Sequence, residues 1–441
     1  MSVDLVLKDG LTVSTGQELV RSIAIEKGKI EGLYSQGEEP DSNRIIDCSG
    51  QYVLPGFIDI HVHLRGLLQN EKEDYETGTR AAAAGGITTV VDMPNSSPPV
   101  LDMQVLQQKI NEAREHRYTN IGFYTGIPAN PETMSDSLFR NVLGLKVYPH
   151  GPLDDVRYDR ARILECLKVA KERGLPLMFH PDSTPPESKA NSVDEYFELH
   201  SCESEVRSLK QFLDANRDLD CRIHVCHVSC ASTVEVISDN RQEDLLTAEA
   251  TPHHLFLSCD NFSKEDGTAK MLPPLRSQED CNALKMAISK CQIDIVASDH
   301  APHTSAEKEA SFEDAKAGIP GLETLTPILL TEVFNGNISW VELLRMGCSG
   351  PASILRIAGK GVLSEGYDAD IAIFSREDWV IRGENFHSKA KRTPFEGYVA
   401  KAKPVTTIVG GEVVFNDEEF EVPSGIAGAV PIRKVARPVN T

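Results

Sequence analysis

The sequence predicts an α/β fold, a (β/α)8 TIM-type barrel with a small β-sandwich formed by the N- and C-terminal segments. Strand-like apolar runs alternate with helix-like stretches from Gly56 to about residue 355, which is the pattern of β/α units. At least six of these strands end in a polar residue, and the C-terminal ends of barrel strands form the active-site face of such folds. Both ends of the chain carry short strands without intervening helices.

The terminal segments are predicted to form one β-module. Residues 1–54 contain short alternating runs punctuated by glycines, and residues 356–441 return to the same pattern. Examples of these runs are residues 5–7, 22–25, 370–374 and 406–414. Alternation over such lengths is typical of half-buried strands. We therefore expect the barrel, residues 55–355, to be inserted between the two halves of the module.

The barrel elements follow one another along the chain. The first predicted strand begins at Gly56, and an alanine-rich helix is predicted over residues 74–84 because alanine is the strongest helix former. The later strands are short apolar runs at residues 87–93, 143–148, 175–180, 222–228 and 293–298. Fully buried strands of a parallel sheet have this composition.

Composition limits the classes of function. The chain has 441 residues, long enough for a large barrel and a smaller module. Its net charge of −21 argues against nucleic acid or an anionic membrane as a partner. A small anionic substrate remains compatible, since a local basic pocket can lie in an acidic protein. With no basic and apolar leader and no apolar stretch of ~18 residues, the sequence predicts a cytoplasmic protein.

The ten cysteines are scattered along the chain. The closest set is Cys221, Cys226 and Cys230, which contains no C-x-x-C pair, so it predicts neither a zinc knuckle nor a disulfide framework. We expect free thiols in a reducing cytosol. No cysteine or serine is paired with a base in the sequence pattern, and a Ser or Cys nucleophile is not expected.

The most informative motif is His61-Val62-His63 at the end of the first barrel strand. Side chains alternate along a strand, so His61, His63 and Arg65 share one face with Asp59 while the intervening apolar residues share the other. This pattern is typical of half of a metal site. Taken alone, the motif favours two structural histidines slightly over two metal ligands.

Further donor candidates lie at the ends of other predicted strands. They are Lys146, His180, His227 and Asp299. His224 lies three residues before His227, so the two are expected to face opposite sides of a strand, and only one of them can point into the barrel. Six such residues in this order point to a metal centre more strongly than any one of them.

The chain resembles the cyclic amidohydrolases of the amidohydrolase superfamily and, within them, the class I dihydroorotases. The resemblance covers nearly the whole chain. It lies in residues 55–65 (PGFIDIHVHLR), 77–89 (TGTRAAAAGGITT), 92–95 (DMPN), 251–255 (TPHHL), 298–303 (SDHAPH), 366–371 (GYDADI), 388–389 (SK) and 393–397 (TPFEG).

The resemblance implies a binuclear zinc centre. One zinc would be held by His61, His63 and Asp299, and the second by His180 and His227. Lys146 would bridge the two ions after carboxylation to a carbamate, because a protonated amine cannot ligate a cation. The two ions would share a hydroxide, and Asp299 would be the catalytic residue that moves the proton to the leaving nitrogen.

The resemblance also implies the substrate. Arg65, Asn95 and His303 would bind a ring carboxylate, a task suited to a guanidinium group. Two departures from the family pattern bear on this: residues 66–68 (GLL) replace an acidic-Pro-Gly step, and Leu272 stands where many relatives carry an asparagine.

The expected activity is the reversible interconversion of N-carbamoyl-L-aspartate and L-dihydroorotate in pyrimidine biosynthesis. Two alternatives stay open: an allantoinase or dihydropyrimidinase-type cyclic amidohydrolase, and a non-catalytic scaffold for a partner such as aspartate carbamoyltransferase. Homo-oligomerisation also stays open. The scaffold alternative predicts lost metal donors, and all six are present.

Overall fold

The structure is a computed structural model that describes residues 2–14, 16–185, 188–190, 192–242, 244–262 and 266–425. The chain begins with five strands of a β-module: β1 (Val3–Ser14), β2 (Gln17–Glu26), β3 (Lys29–Tyr34), β4 (Ser42–Asp47) and β5 (Tyr52–Pro55). Within the described residues, no helix combines the length and the apolar character that a membrane span requires.

Eight parallel strands then form a nearly closed barrel, which confirms the predicted fold class. They are β6 (Phe57–Val62), β7 (Ile87–Asp92), β8 (Asn120–Thr125), β9 (Gly144–Val147), β10 (Leu177–Phe179), β11 (Ile223–Val225), β12 (Leu246–Ala250) and β13 (Ile295–Val296). Each strand pairs with the next in chain order. The ring is completed where Val62 forms a parallel bridge with His300, and the His63 amide donates to the His300 carbonyl at 2.8 Å.

The helices connect and surround these strands. They are α1 (Tyr75–Ala84), α2 (Met103–Glu115), α3 (Asp136–Arg140), α4 (Arg160–Arg173), α5 (Val193–Leu199), α6 (Cys202–Asn216), α7 (Ala231–Asp239), α8 (Pro252–Phe256), α9 (Gln278–Ser289), α10 (Ser305–Glu309), α11 (Leu325–Phe334), α12 (Trp340–Leu344) and α13 (Gly350–Leu355).

Helix α1 shows how the local sequence sets these elements. The Asp74 side chain accepts from the Thr77 amide at 2.8 Å and caps the first turn. The helix ends at Gly85, where an added Cβ would lie 2.2 Å from the Leu322 carbonyl oxygen. Only glycine therefore allows this turn to pack against the chain before α11.

Strands from both ends of the chain share one sheet. The C-terminal segment contributes β14 (Ile371–Ser375), β17 (Lys403–Val409), β18 (Glu412–Asn416) and β19 (Glu419–Phe420), while β15 (Trp379–Val380) and β16 (Val399–Ala400) form a separate pair. In the sheet, β5 lies between β1 and β14. The predicted joining of the two terminal segments is confirmed, and the boundaries at residues 54 and 355 stay predictions.

Asp370, just before β14, connects the module to the barrel. Its carbonyl accepts from the Gly56 amide at 2.8 Å, and its carboxylate accepts from Asn120 Nδ2 at 2.8 Å and pairs with Lys360 Nζ at 2.5 Å. The Phe374 ring packs edge-on against Phe57, with 6.0 Å between ring centroids. These contacts fix the start of the first barrel strand, and thereby the histidines at its end.

One expectation about the cysteines is wrong. Cys202, the first residue of α6, forms a disulfide with Cys230, just before α7, with 5.8 Å between the Cα atoms. The two lie 28 residues apart, and only the packing of α6 beside the β11–α7 loop brings them together. Disulfides are uncommon in reducing compartments, so the cytoplasmic location stays a prediction.

Candidate metal centre

The predicted donor residues lie at the carboxyl ends of the barrel strands. His61 lies in β6 and Lys146 in β9, while the other four follow their strands directly or within three residues; these are His63, His180, His227 and Asp299. His227 and Asp299 have φ angles of 33° and 48°. Left-handed backbone is costly for such residues, and it concentrates at functional sites.

Three of the donors form a first cluster. His61 Nε2 and His63 Nε2 each lie 3.3 Å from Asp299 Oδ1. All three side chains are buried or nearly so. Imidazole nitrogen and carboxylate oxygen are the ligands that zinc prefers, together with thiolate.

His180 and His227 form a second cluster beside the first. His180 Nδ1 lies 2.8 Å from His227 Nε2. The ligand atoms of His61, His227 and Asp299 all lie within 4.8 Å of one another, so the clusters are contiguous. The structure thus brings five of the six predicted donors together around one small volume.

Lys146 is buried beneath this volume, with 1% of its surface exposed. Its Nζ donates to Cys226 Sγ at 2.9 Å and lies 4.9 Å from the centroid of the Tyr148 ring. Among the described residues, no carboxylate lies within ion-pairing distance of this ammonium group. A buried cation without a counter-charge is costly.

One buried and one partly buried side chain orient the histidines of the first cluster. Glu249, on β12, accepts from His61 Nδ1, and the Asn95 side-chain oxygen accepts from His63 Nδ1 at 2.6 Å. With a proton held at Nδ1, Nε2 is in each ring the nitrogen left to ligate a metal ion, and in His61 the ion must first displace the Nε2 proton. Such outer hydrogen bonds select the tautomer in metal sites.

The expectation that His224 and His227 face opposite sides of a strand, with only one of them inside the barrel, is wrong. Its Nε2 donates to Glu249 Oε2 at 3.0 Å, and the His227 amide donates to Glu249 Oε1 at 3.2 Å. Strand parity fails here because β11 ends at Val225, and the chain turns before His227. Glu249 itself was missed by the sequence analysis, although an acidic residue inside the short run of β12 is the signal that could have found it.

The charges of the clusters depend on one another. Burial lowers the pKa of His63 to about 4 and holds the pKa values of His180 and His227 well below the ordinary value. For His61, burial is outweighed by the Glu249 carboxylate, which raises its pKa to about 10. Burial opposes the ionised form of Asp299, but His61 and its neighbours hold the pKa of that carboxyl well below its ordinary value.

These observations fit a bound metal cation. An ionised, nearly buried carboxylate and two histidine Nε2 atoms converge on one point, where a metal ion can replace the Nε2 proton of His61 as the positive charge beside Asp299. The facing nitrogens of His180 and His227 offer two more neutral donors. The donor set is that of a zinc site and lacks the oxygen-only ligands typical of calcium or magnesium.

A cavity of about 370 Å³ opens above the donors. Besides five of the donor residues, its walls include the following polar residues: Arg65, Gln69, Lys72, Asn95, Tyr148, His150 and His303. The predicted substrate-binding residues Arg65, Asn95 and His303 therefore face the same space as the donors. Ala301, Leu272, Ala317 and Gly318 contribute apolar and backbone surface.

Arg65 is a buried cation of this cavity, with 8% of its surface exposed. Its Nη2 lies 3.4 Å from the Pro302 carbonyl and 3.3 Å from His303 Nε2, and its Nε has no hydrogen-bond partner. Within the described part of the chain, no carboxylate pairs with it. The guanidinium group is therefore available to an anionic ligand.

His303 is neutral in this setting. Burial and the nearby Arg65 lower its pKa to about 3. Its Nδ1 lies 3.1 Å from Glu307 Oε2, and Glu307 also pairs with Lys72 Nζ at 2.7 Å. Lys72 was missed because nothing in its sequence surroundings distinguishes it from a surface lysine.

One departure from the family pattern, Leu272, lines the cavity, and the other, residues 66–68, directly precedes Gln69, which also lines it. Gly66 and Leu67 have φ angles of 67° and 53°, and the Leu67 amide donates to Glu112 Oε2 at 3.1 Å. This turn directs Gln69 and Lys72 to the cavity and leaves Leu68 76% exposed. Leu272 contributes an apolar wall where an amide would have offered a hydrogen bond.

Comparison with known proteins agrees with this geometry. Residues 52–414 match the model of the Amidohydrolase family. The dihydroorotase of Geobacillus kaustophilus is 36% identical over 427 residues, covering 93% of this chain and 98% of that protein. The dihydroorotase of Pyrococcus furiosus is 34% identical over 401 residues, covering 90% of this chain and 89% of that protein.

Solved structures resemble the whole chain. The L-hydantoinase (dihydropyrimidinase) of Arthrobacter aurescens superposes with a TM-score of 0.90 at 25% identity, covering 97% of this chain and all of that one. A dihydropyrimidinase of Brevibacillus agri shares the fold with a TM-score of 0.86. Because the family match spans most of the chain and the dihydroorotases share about a third of its residues over nearly their full length, the chain belongs to the amidohydrolase family and, within it, to the dihydroorotases.

Proposed function

We propose that the protein interconverts L-dihydroorotate and N-carbamoyl-L-aspartate at a centre of two zinc ions. The observation that carries the substrate is Arg65, a buried guanidinium group without a carboxylate partner among the described residues, in the same cavity as the metal donors. Dihydroorotate carries a ring carboxylate. A fixed cation and a hydrolytic centre on one cavity match that substrate.

The donor residues divide between the two ions as the family resemblance implies. His61, His63 and Asp299 would hold one ion, and His180 with His227 the other. Lys146 would bridge them as a carbamate, which would replace its uncompensated positive charge by an anionic group with two oxygens. When bound, the ions polarise the substrate carbonyl and lower the pKa of water.

Asp299 is proposed to move the proton. In hydrolysis, a water oxygen forms a bond to the ring amide carbon and the ring carbon–nitrogen bond breaks. The Asp299 carboxylate takes a proton from that water and delivers a proton to the departing nitrogen. Ring closure reverses these steps, with the proton passing from the nitrogen to the oxygen that leaves as water.

Arg65, Asn95 and His303 are proposed to hold the ring carboxylate. Hydrogen bonds between charged groups contribute roughly 1.5 to 3 kcal/mol each. Arg65 supplies the charge, while Asn95 keeps its side-chain oxygen on His63 and offers its amide nitrogen to the cavity. Neutral His303 completes the wall beside Arg65.

The strongest alternative is a hydantoinase or dihydropyrimidinase, because solved structures with those names share the fold. Their substrates lack the ring carboxylate, and Arg65 would then be a buried cation without a purpose. Homo-oligomerisation and association with aspartate carbamoyltransferase remain predictions; co-elution of the purified proteins in size-exclusion chromatography would test both.

The experiment compares Arg65→Ala with the native protein on four substrates. We expect native protein to act on dihydroorotate faster than on hydantoin, dihydrouracil or allantoin. Removing the guanidinium group should lower kcat/KM for dihydroorotate by at least about tenfold, because a charge-assisted hydrogen bond is lost, and should change the rates for the other substrates much less.

The matched control is Arg217→Ala, which removes an arginine that is largely exposed and paired with Asp214. It should leave all four rates unchanged. Faster turnover of hydantoin, dihydrouracil or allantoin than of dihydroorotate, unaffected by Arg65→Ala, would overturn the substrate assignment and leave the amidohydrolase centre intact.

A further inference from the structure

One wall of the cavity is built from two irregular segments. Residues 270–273 contribute Leu272, and residues 316–319 contribute Ala317 and Gly318. Neither segment contains a helix or strand. The Gly318 amide donates to the Lys270 carbonyl at 3.0 Å, which joins the segments at one point.

The Lys308 side chain supplies the other connections. Lys308 lies on the short helix α10 with 6% of its surface exposed. Its Nζ donates to three main-chain carbonyls, those of Lys270 at 2.9 Å, Lys316 at 3.0 Å and Gly318 at 2.9 Å. All three protons of the ammonium group are used, and both segments are held by one atom.

Lys270 extends this arrangement outward. Its Nζ donates to the Phe312 carbonyl at 2.7 Å and the Glu313 carbonyl at 3.1 Å. It also lies over the rings of Tyr196 and Phe312, at 5.2 and 4.8 Å from their centroids. Two lysines thus tie the wall to the loop that follows α10.

The arrangement is costly, which argues for a specific role. Among the described residues no carboxylate pairs with Lys308, and burial lowers its pKa to about 7. An apolar side chain would avoid that cost but would leave the Lys316 and Gly318 carbonyls without a donor, and the Lys270 carbonyl with only the Gly318 amide. Buried backbone carbonyls without partners are themselves unfavourable.

We propose that Lys308 is a positioning residue that holds residues 270–273 and 316–319 in register and so sets the affinity of the cavity for its substrate. It touches neither the donors nor the reacting atoms. Loss of its ammonium group should loosen the wall, raising KM while the centre that determines kcat stays intact. The substrate part of this inference rests on the proposed function.

The test is Lys308→Met, which keeps the length of the side chain and removes its donors. We expect KM for dihydroorotate to rise by about tenfold or more, as for the loss of a substrate-binding interaction. The kcat value and the zinc content per chain should stay close to native. Hydrogen–deuterium exchange should accelerate in peptides covering residues 270–273 and 316–319 and not in the barrel strands.

Lys403→Met is the matched control, because Lys403 lies on β17 of the β-module, where it pairs with Glu418. It should change neither KM nor exchange at the wall. If Lys308→Met does not fold, Lys308→Gln and Lys270→Met are judged by the same criteria. Native KM, or an equal acceleration of exchange across the whole chain, would overturn the positioning role.

The exchange measurement separates this inference from the proposed function. If native protein does not act on dihydroorotate, the proposed function fails, and faster exchange confined to the wall in Lys308→Met still supports the positioning role of Lys308. If native protein acts on dihydroorotate and the amides of the wall exchange at native rates in Lys308→Met, the positioning role of Lys308 alone fails.

Discussion

Asp299 and Lys146 occupy opposite electrostatic positions in the same site. Asp299 is held ionised by surrounding imidazoles, whereas Lys146 is a buried ammonium group without a carboxylate partner in the described part of the chain. Hydrogen bonds from Glu249 and Asn95 to the Nδ1 atoms of His61 and His63 direct both Nε2 atoms at Asp299. The Asp299 carboxylate can therefore bind a metal cation directly, whereas the Lys146 amine would have to lose its positive charge before it could act as a ligand.

We predict that Lys146→Ala lowers metal content and nearly abolishes turnover. The variant removes the amine that would carry the bridging carbamate, so the second ion loses an anionic ligand. Zinc per chain, measured by elemental analysis, should fall below that of Lys168→Ala, an exposed lysine of α4. Full activity with native metal content in Lys146→Ala would contradict the bridge.

A second prediction concerns Asp299→Asn. The substitution keeps the shape of the side chain and removes both the negative charge and the proton acceptor. Turnover should fall by more than the 10²- to 10⁴-fold typical of acid–base catalysis alone, while circular dichroism stays native. The exposed Asp218→Asn serves as control; near-native turnover in Asp299→Asn would exclude it from the mechanism.

The donors could be predicted from sequence because each depends on a short apolar run and the residue that ends it. His61 and His63 follow from strand parity, and His180 and Asp299 from strand ends. Glu249 and the partners of Lys308 depend on which distant segments become neighbours, and no local pattern encodes that. The His224 prediction was wrong because parity was extended past the end of β11.

At the scale of elements, the C-terminal segment after β15 is anchored to the barrel through buried acids. Glu323, just before α11, accepts from the His387 amide at 2.8 Å and the Ser388 amide at 3.3 Å, and the Ser388 hydroxyl donates to Glu73. Glu73 precedes α1, the helix that follows the loop of Arg65. The segment thus braces the loop that carries Arg65.

We predict a pH-dependent stability from Glu323, because burial raises the pKa of its carboxyl to about 8 in the folded state. The unfolded chain releases this proton near pH 4.3, so the folded state binds more protons between these values, and stability falls as pH rises from about 5 to 8. The contribution is on the order of a few kcal/mol.

Denaturant unfolding of native protein and Glu323→Gln at pH 5 and pH 8 measures this contribution. The fall in unfolding free energy should be smaller in Glu323→Gln, which cannot ionise, whereas Glu412→Gln on an exposed position of β18 should behave as native. Identical pH dependence in Glu323→Gln and native protein would show that the carboxyl does not titrate in this range.

At the scale of the molecule, the sequence was sufficient for the barrel and for the joining of the two terminal segments. Alternating strand and helix patterns left few topologies, since parallel strands need crossover connections. The Cys202–Cys230 disulfide could not be predicted, because tertiary packing that no local pattern encodes brings together two helix starts 28 residues apart. The strand order of the β-module could not be predicted from local sequence patterns either.

The position of β5 between β1 and β14 has a consequence for biosynthesis. β5 ends at Pro55 and its neighbour β14 begins at Ile371, so β14 emerges from the ribosome 316 residues after β5. At translation rates of roughly 5 to 20 residues per second, that delay is roughly 15 to 60 s. For most of this time the barrel strands are still being synthesised, so the nascent chain presents the unpaired edge of β5 to chaperones and to other polypeptides.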